Sequence, residues 1–429
     1  VMNYRETVNY LYECTPVFEH VGASAYKEGL DNTHALDKHF GHPHQHYKII
    51  HIAGTNGKGS CSHTLAAILQ VMGYNVGLYT SPHLVDFRER IRVNGEMIPE
   101  EYVVDFVEKE KNFFTPLHPS FFELTTAMAF KYFAEKHVDY AIVEVGLGGR
   151  LDCTNIVTPI LSIITNISKD HTQFLGETLP QIAAEKAGII KPNTPVVIGE
   201  AIPETRHVFE HKAIETHSKI IFAEDSCEVV SVDKSQGGGI SYQTVNYGVV
   251  TGALIGEYQI KNTNTILCAI RELDITDVEA VKKGFLNVVQ LTGLMGRWQI
   301  LCNKPLIVCD TGHNVGGWKY LSKQIIYQEC HQKHIVFGMV DDKDIDSVME
   351  LLPKDAIYYW SQATTHRAIP SQVVAQKGLA HGLVGRAYDS VESAYMAALA
   401  NAVPNDFVFI GGSSYIVSDL LACLATPKE

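Results

Sequence analysis

The chain has 429 residues, 46% of them hydrophobic and 19% charged, with a formal net charge of −13. This length exceeds one compact core and implies two or three domains, while the apolar share excludes a disordered chain. The acidic balance excludes a nucleic-acid-binding surface, no apolar run is long enough to span a bilayer, and the scattered cysteines predict unpaired thiols in a reducing cytoplasm.

In chain order, the first notable segment is polar, Gly41-His42-Pro43-His44-Gln45-His46, and reads as solvated loop histidines and not as a metal site. An apolar strand at 48–53 follows, and directly after it comes Gly54-Thr55-Asn56-Gly57-Lys58-Gly59-Ser60, ahead of a helix expected over 60–72. A glycine-rich turn between a buried strand and a helix N-terminus aims backbone N–H groups at one spot, where the helix dipole adds positive potential. Lys58 can reach the β- and γ-phosphates of a nucleotide, and the Ser60 hydroxyl can reach Mg²⁺. The spacing of the glycines is shorter than in the usual phosphate-binding loop, yet strand, glycines, lysine, hydroxyl and helix stand in order.

Further buried parallel strands are expected at 75–79, 139–145, 159–166 and 195–199, alternating with helices at 99–113, 122–136, 178–187 and 204–217. This alternation predicts βαβ units and a sheet covered on both faces. Segment 220–260 changes character around Gly237-Gly238-Gly239 and reads as an antiparallel β appendage. The pattern restarts near residues 293–299, with strands at 305–310, 334–338, 356–360 and 406–410 and helices at 316–329, 345–352, 371–379, 390–400 and 414–424. The expected division is residues 1–295 for the first domain, with its appendage, and 296–429 for a smaller Rossmann-like α/β domain. Two such domains joined by a short connection predict a ligand cleft.

Ligands of open parallel sheets collect beyond the carboxyl ends of strands. Glu144 ends one strand as a hard oxygen ligand suited to Mg²⁺, or as a rim acid paired with Arg150. His171 follows another strand and, alone, is a loop histidine. Lys186 falls late in a short helix, where surface solvation is the default. Thr80-Ser81-Pro82-His83 begins a loop suited to covering phosphates; in the second series Asp310, His313 and Gly412-Ser413 lie at strand ends, and Arg297, just inside the boundary, can carry a positive charge into the cleft and reach a phosphate.

Taken together, the loop at 54–60, Tyr79-Thr80-Ser81-Pro82-His83-Leu84, Gly146-Leu147-Gly148-Gly149-Arg150-Leu151-Asp152, Glu185-Lys186-Ala187-Gly188-Ile189, Asp310 with His313-Asn314, and Gly412-Ser413 resemble the folylpolyglutamate synthase/dihydrofolate synthase family of Mur-type ATP-dependent amide ligases. The resemblance implies an α/β architecture, with a phosphate-loop-containing central domain and a smaller C-terminal one. It implies addition of L-glutamate to dihydropteroate, to the γ-carboxylate of reduced folates, or to both, through an acyl phosphate. Gly54, Thr55, Asn56, Gly57, Lys58, Gly59 and Ser60 would hold the ATP phosphates, Asn262 adenine, and Arg297 and Asp310 would also reach the nucleotide. Ser60, Ser81, Glu144 and His171 would bind Mg²⁺ at two sites, with a monovalent cation as an optional addition. Lys58, Lys186 and His313 would be catalytic, Lys186 as a carbamylated lysine. His83, Phe122, Arg150, Asp152 and Ser413 are the substrate-side candidates.

The chain departs from the family pattern at Thr311-Gly312, where Gly-Ala is usual, and at Gln299, where glutamate is common. The expected partners are small molecules only, for a monomer in the cytoplasm. A muramyl-precursor ligase would need a larger domain ahead of the loop than 53 residues provide, and a nucleotide-switched binding protein would need a guanine-specifying motif that is not evident.

Overall fold

The structure is a computed structural model that describes residues 1–14, 29–234 and 239–426. Its described residues divide into two units, 1–254 with 259–294, and 255–258 with 295–429.

The first unit is built on an eight-stranded sheet, β1 (Lys48–Ala53), β2 (Val76–Tyr79), β3 (Ile91–Val93), β4 (Glu96–Met97), β5 (Tyr140–Glu144), β6 (Leu161–Ile164), β7 (Val196–Ile198) and β8 (Ile220–Phe222), in the order β4-β3-β2-β5-β1-β6-β7-β8. Six strands run parallel, and β3 and β4 add an antiparallel edge. Strand β1 shows why the apolar runs become central strands. Ile50 and Ile52 are buried in one core layer and Ile49 in another, so both faces are dry. Each such side chain contributes about 1.5–3 kcal/mol by leaving water.

Helices cover both faces: α1 (Tyr4–Cys14), α2 (Asp31–His39), α3 (Lys58–Val71), α4 (Glu100–Phe114), α5 (Phe121–Glu135), α6 (Leu179–Ala187), α7 (Pro203–Thr216), α8 (Tyr258–Glu272) and α9 (Val278–Leu286). Their starts follow local chemistry. Ser120 and Glu123 form a reciprocal capping box for α5, as Thr178 and Gln181 do for α6.

Two expectations need correction. Residues 220–222 are not part of an antiparallel appendage but the parallel edge strand β8, because Phe222 is buried in the main core; the appendage is β9 (Val229–Asp233), β10 (Ile240–Thr244) and β11 (Val249–Gly252). Gly237 and Gly238 lie outside the described residues. The histidine loop is also not uniformly solvated: His44 is buried beside Phe130 and bonded to Asp37, and burial pushes its pKa down.

The second unit holds a six-stranded sheet, β12 (Gln299–Asn303), β13 (Leu306–Asp310), β14 (Lys333–Phe337), β15 (Ala356–Trp360), β16 (Val384–Ala387) and β17 (Phe407–Gly411), ordered β12-β13-β17-β14-β15-β16. Only β12 is antiparallel, and the flanking helices include α10 (Val315–Tyr327) and, after β17, α11 (Ser414–Ala425). Register places Asp310 beside Gly411, so the loops after β13 and β17 are neighbours.

All three tryptophans, Trp298, Trp318 and Trp360, are buried in this unit, and Phe409 lies 5.9 Å from the Trp298 ring and 5.7 Å from that of Trp318. Intrinsic fluorescence therefore reports on the second unit. Phe409→Ala is expected to destabilise it by about 3–5 kcal/mol, read as a lower urea midpoint by tryptophan emission.

Candidate functional site

In the first sheet β2, β5, β1 and β6 are consecutive, so the loops at their carboxyl ends, 80–83, 145–152, 54–57 and 165–171, share one edge. The turn after β1 is braced rather than loose. Thr55 and Asn56 donate their amides to the main-chain and side-chain oxygens of Asn166 at 3.0 and 2.9 Å, and Thr165 Oγ1 donates to the Asn56 carbonyl at 2.5 Å. These two amides anchor the loop. The groups left to face a ligand belong to the start of α3, where the first internal bond runs from the Cys61 amide to the Gly57 carbonyl, placing the amides of Lys58, Gly59 and Ser60 ahead of the helical ladder.

Gly57 has φ of +86°, and a Cβ there would overlap Asn262 Oδ1. Asn262 itself donates to Gln259 Oε1 at 3.0 Å, and Gln259 donates to Ser60 Oγ at 3.1 Å. The residue expected at adenine thus packs under the phosphate loop, with Gln259 as a second prop. A polar pair three residues apart on an otherwise buried helix face was the available signal for it.

Lys186 is not solvated. It is 4% exposed, and burial, helped by the Lys58 charge, pushes its pKa down to about 7 against the pull of Asp170 and Asp152. Asp170, in the turn that carries His171, is the acid that motif reading left without a role. His171 has a left-handed φ of 49° and donates its main-chain amide to Asp170 Oδ1 at 3.0 Å. Glu144 is buried at the end of β5, and Ser81 is half-buried after β2. A hydroxyl and a carboxylate are oxygen donors of the type a hard divalent cation takes, and they stand with an imidazole on loops at one sheet edge.

The Gly146–Asp152 loop is held from inside. Asp152 Oδ1 accepts from the amides of Gly146 and Leu147 at 3.1 and 2.9 Å, and Oδ2 accepts from the Thr154 amide at 3.0 Å and hydroxyl at 2.5 Å. Because that hydroxyl donates to a carboxylate, its oxygen accepts from His51 Nε2, 2.8 Å away. His51 is fully buried in β1, and burial holds its pKa down to about 3, so the ring is neutral. Burial also raises the Asp152 pKa. Phe122 lies across the loop, where a Cβ on Gly146 would strike its ring. Arg150 is exposed and pairs with Glu185 at 3.0 Å. His83 is clamped, accepting from Arg90 Nε at 2.7 Å through Nδ1 and facing the Tyr12 hydroxyl at 3.0 Å through Nε2, while Tyr12 stacks on Phe121 at 4.9 Å.

In the second unit Asp310 is 2% exposed and accepts from Tyr258 Oη and from the amides of Trp298 and Gly312, the latter two at 2.8 Å; burial raises its pKa. It organises the turn that carries half-buried Arg297 and His313, whose Nδ1 donates to the Thr311 carbonyl at 3.2 Å. Ser413 is buried and caps α11, accepting from the Ile416 amide at 3.2 Å. Gln299, at a departure from the family pattern, accepts from the Gly296 amide at 2.9 Å.

Two family models match the chain: the Mur ligase middle domain over residues 52–270, and the Mur ligase glutamate ligase domain over residues 296–414. Fold and site together define a Mur-type ligase.

Among curated relatives, the dihydrofolate synthase/folylpolyglutamate synthase of Bacillus subtilis is 32% identical, with 92% of this chain and 94% of the relative aligned. The folylpolyglutamate synthase of Lacticaseibacillus casei is 32% identical with both chains fully covered. A probable bifunctional folylpolyglutamate synthase/dihydropteroate synthase of Haloferax volcanii is also 32% identical, and there the chain spans 50% of the relative's length. Escherichia coli FolC, solved in complex with DHPP and ADP, superposes with a TM-score of 0.84 at 28% identity over 99% of this chain and 98% of that one. The chain belongs to the folylpolyglutamate synthase/dihydrofolate synthase family, and it is an ATP-dependent carboxylate–amine ligase.

Gly57→Ala is expected to lower ATP affinity at least tenfold by calorimetry while leaving thermal unfolding cooperative, since the added methyl must displace Asn262 and distort the turn. Lys58→Ala is expected to abolish turnover with the fold intact, as judged by far-UV circular dichroism.

Proposed function

We propose that this enzyme uses ATP and Mg²⁺ to join L-glutamate to dihydropteroate, to the γ-carboxylate of reduced folates, or to both. One observation carries the reading: a braced phosphate loop stands beside a buried helix lysine, Lys186, close enough for the Lys58 charge to help burial push its pKa to about 7. Related structures support the cofactor reading, since the Yersinia pestis enzyme has been solved with AMPPNP and a Mn ion, and a bifunctional folylpolyglutamate synthase/dihydrofolate synthase with Mn, AMPPNP and L-glutamate.

A carboxylate is a poor electrophile, so the γ-phosphoryl group passes to its oxygen, giving an acyl phosphate and ADP. The amides at the start of α3 and the Lys58 ammonium hold the phosphates while charge redistributes. Ser60, Ser81, Glu144 and His171 are the residues we assign to Mg²⁺, which supplies charge neutralisation on the phosphates when bound. The glutamate amine then attacks the acyl carbon, the tetrahedral adduct collapses, and phosphate leaves. The rigid turn held by Asp152, together with Phe122, His83 and Arg150, is proposed to orient the acceptor. Arg297, Asp310, His313 and Ser413 are proposed to serve nucleotide and glutamate in the second unit, and Asn262 adenine. The enzyme is read as a cytoplasmic monomer with small-molecule partners. None of the helices among the described residues is long and apolar enough to cross a membrane.

Lys186 fits the carbamylation role. A pKa near 7 leaves much of the amine neutral, and that neutral nitrogen adds to CO₂, forming an N–C bond and releasing a proton to solvent. The product is an anion where a cation stood, able to complete the metal shell.

Protonation blocks this addition below about pH 7, so turnover at limiting bicarbonate should rise as pH increases through that value. Lys186→Ala should lose activity, recover part of it with short-chain carboxylic acids, and lack the bicarbonate-dependent rise. The acceptor is tested by assaying ATP turnover with glutamate plus dihydropteroate or tetrahydrofolate side by side. At least one acceptor should stimulate ADP formation and yield a glutamylated product; ATP hydrolysis indifferent to both would refute the assignment.

A further inference from the structure

We propose that Asp37, His42 and His44 form a binding site for one divalent transition-metal ion of the zinc class, separate from the phosphate loop and its metal ligands. Asp37 lies in the last turns of α2 and is 8% exposed, as is His44, which follows in the short 3₁₀ turn Pro43–His46. Their approach is set by backbone geometry, with His42 at a left-handed φ of 54° and Pro43 directly after it.

The three donor atoms lie within 4.8 Å of one another. Around a tetrahedral ion with ligand distances of about 2.0–2.1 Å, neighbouring donors stand roughly 3.3 Å apart. His44 Nε2 already lies 3.2 Å from Asp37 Oδ1 and 3.3 Å from Oδ2. His42 Nδ1 is closer, at 2.5 Å from Oδ2, but its side chain is 48% exposed and can draw back by the roughly 0.8 Å that coordination needs.

A second observation points the same way. Asp37 Oδ1 is buried and accepts no hydrogen bond, although His44 Nε2 stands 3.2 Å from it, so a lone pair of this carboxylate is left for a cation. Two imidazoles and one carboxylate select a borderline ion such as Zn²⁺ or Co²⁺ over Mg²⁺, and solvent beside the exposed His42 would supply the fourth ligand. Such an ion would clip the end of α2 to the turn that leads into β1.

The test uses the full chain, stripped with a chelator and held in millimolar MgCl₂ to fill oxygen-ligand sites. Co²⁺ is titrated by visible absorption and Zn²⁺ by calorimetry. The expected result is one equivalent of tight uptake with tetrahedral d–d bands, weakened at least about tenfold in His42→Ala. Zinc should also raise the thermal midpoint of the wild type but not of this variant, whose glutamate-ligation turnover stays near wild type. Absence of the bands, or equal uptake by wild type and His42→Ala, overturns the proposal. His44→Gln provides a second removal of a ligand should His42→Ala prove unstable.

Discussion

A phosphate-binding turn works only if its amides stay aimed while nothing in the turn itself holds them. Here that constraint is met by Asn166, which accepts the amides of Thr55 and Asn56 from the neighbouring strand end, and by Gln259 and Asn262, which prop Ser60 and Gly57 from below. The loop is therefore pinned on two sides before any ligand arrives, so binding does not have to order it. The parallel register of β5-β1-β6 makes this possible, because it sets the end of β1 between the two strands that carry Glu144 and Asn166.

Charge is arranged with the same economy. Burial is the main penalty on the Lys186 ammonium, and the nearby Lys58 charge adds to it, so this amine is pushed toward its neutral form. Asp152 and Asp310 illustrate a complementary case. Both are buried acids whose oxygens are occupied by internal donors, so each organises a turn at a strand end from within.

Much of this was legible in the residues. The central strands appear as continuous apolar runs, and the glycine-rich turn is a local motif whose neighbours in sequence are its neighbours in space. The edge strand β16 was not legible, because Val384, Gly385 and Arg386 are exposed and carry no apolar signature. Residues 220–222 were misassigned for a related reason: three residues hold too little pattern to separate a parallel edge strand from the polar β segment that follows. In the site, Lys186 looked solvated because lysine usually is, and only the packing of α6 shows otherwise. Asn166, Gln259, Tyr12 and the His51–Thr154–Asp152 chain depend on partners some 70 to 200 residues away, which spacing along the sequence does not encode.

The connection between loop 146–152 and helix α6 has a mechanical meaning. Arg150 bonds to Glu185 through both its amide and its side chain, and Asn155 ties the carbonyls of Arg150 and Gly188 together. The loop proposed to face the acceptor and the helix turn bearing Lys186 are thus tied to each other. In the proposed reaction, an acceptor ring docked on that loop would press through these bonds on the turn that holds Lys186.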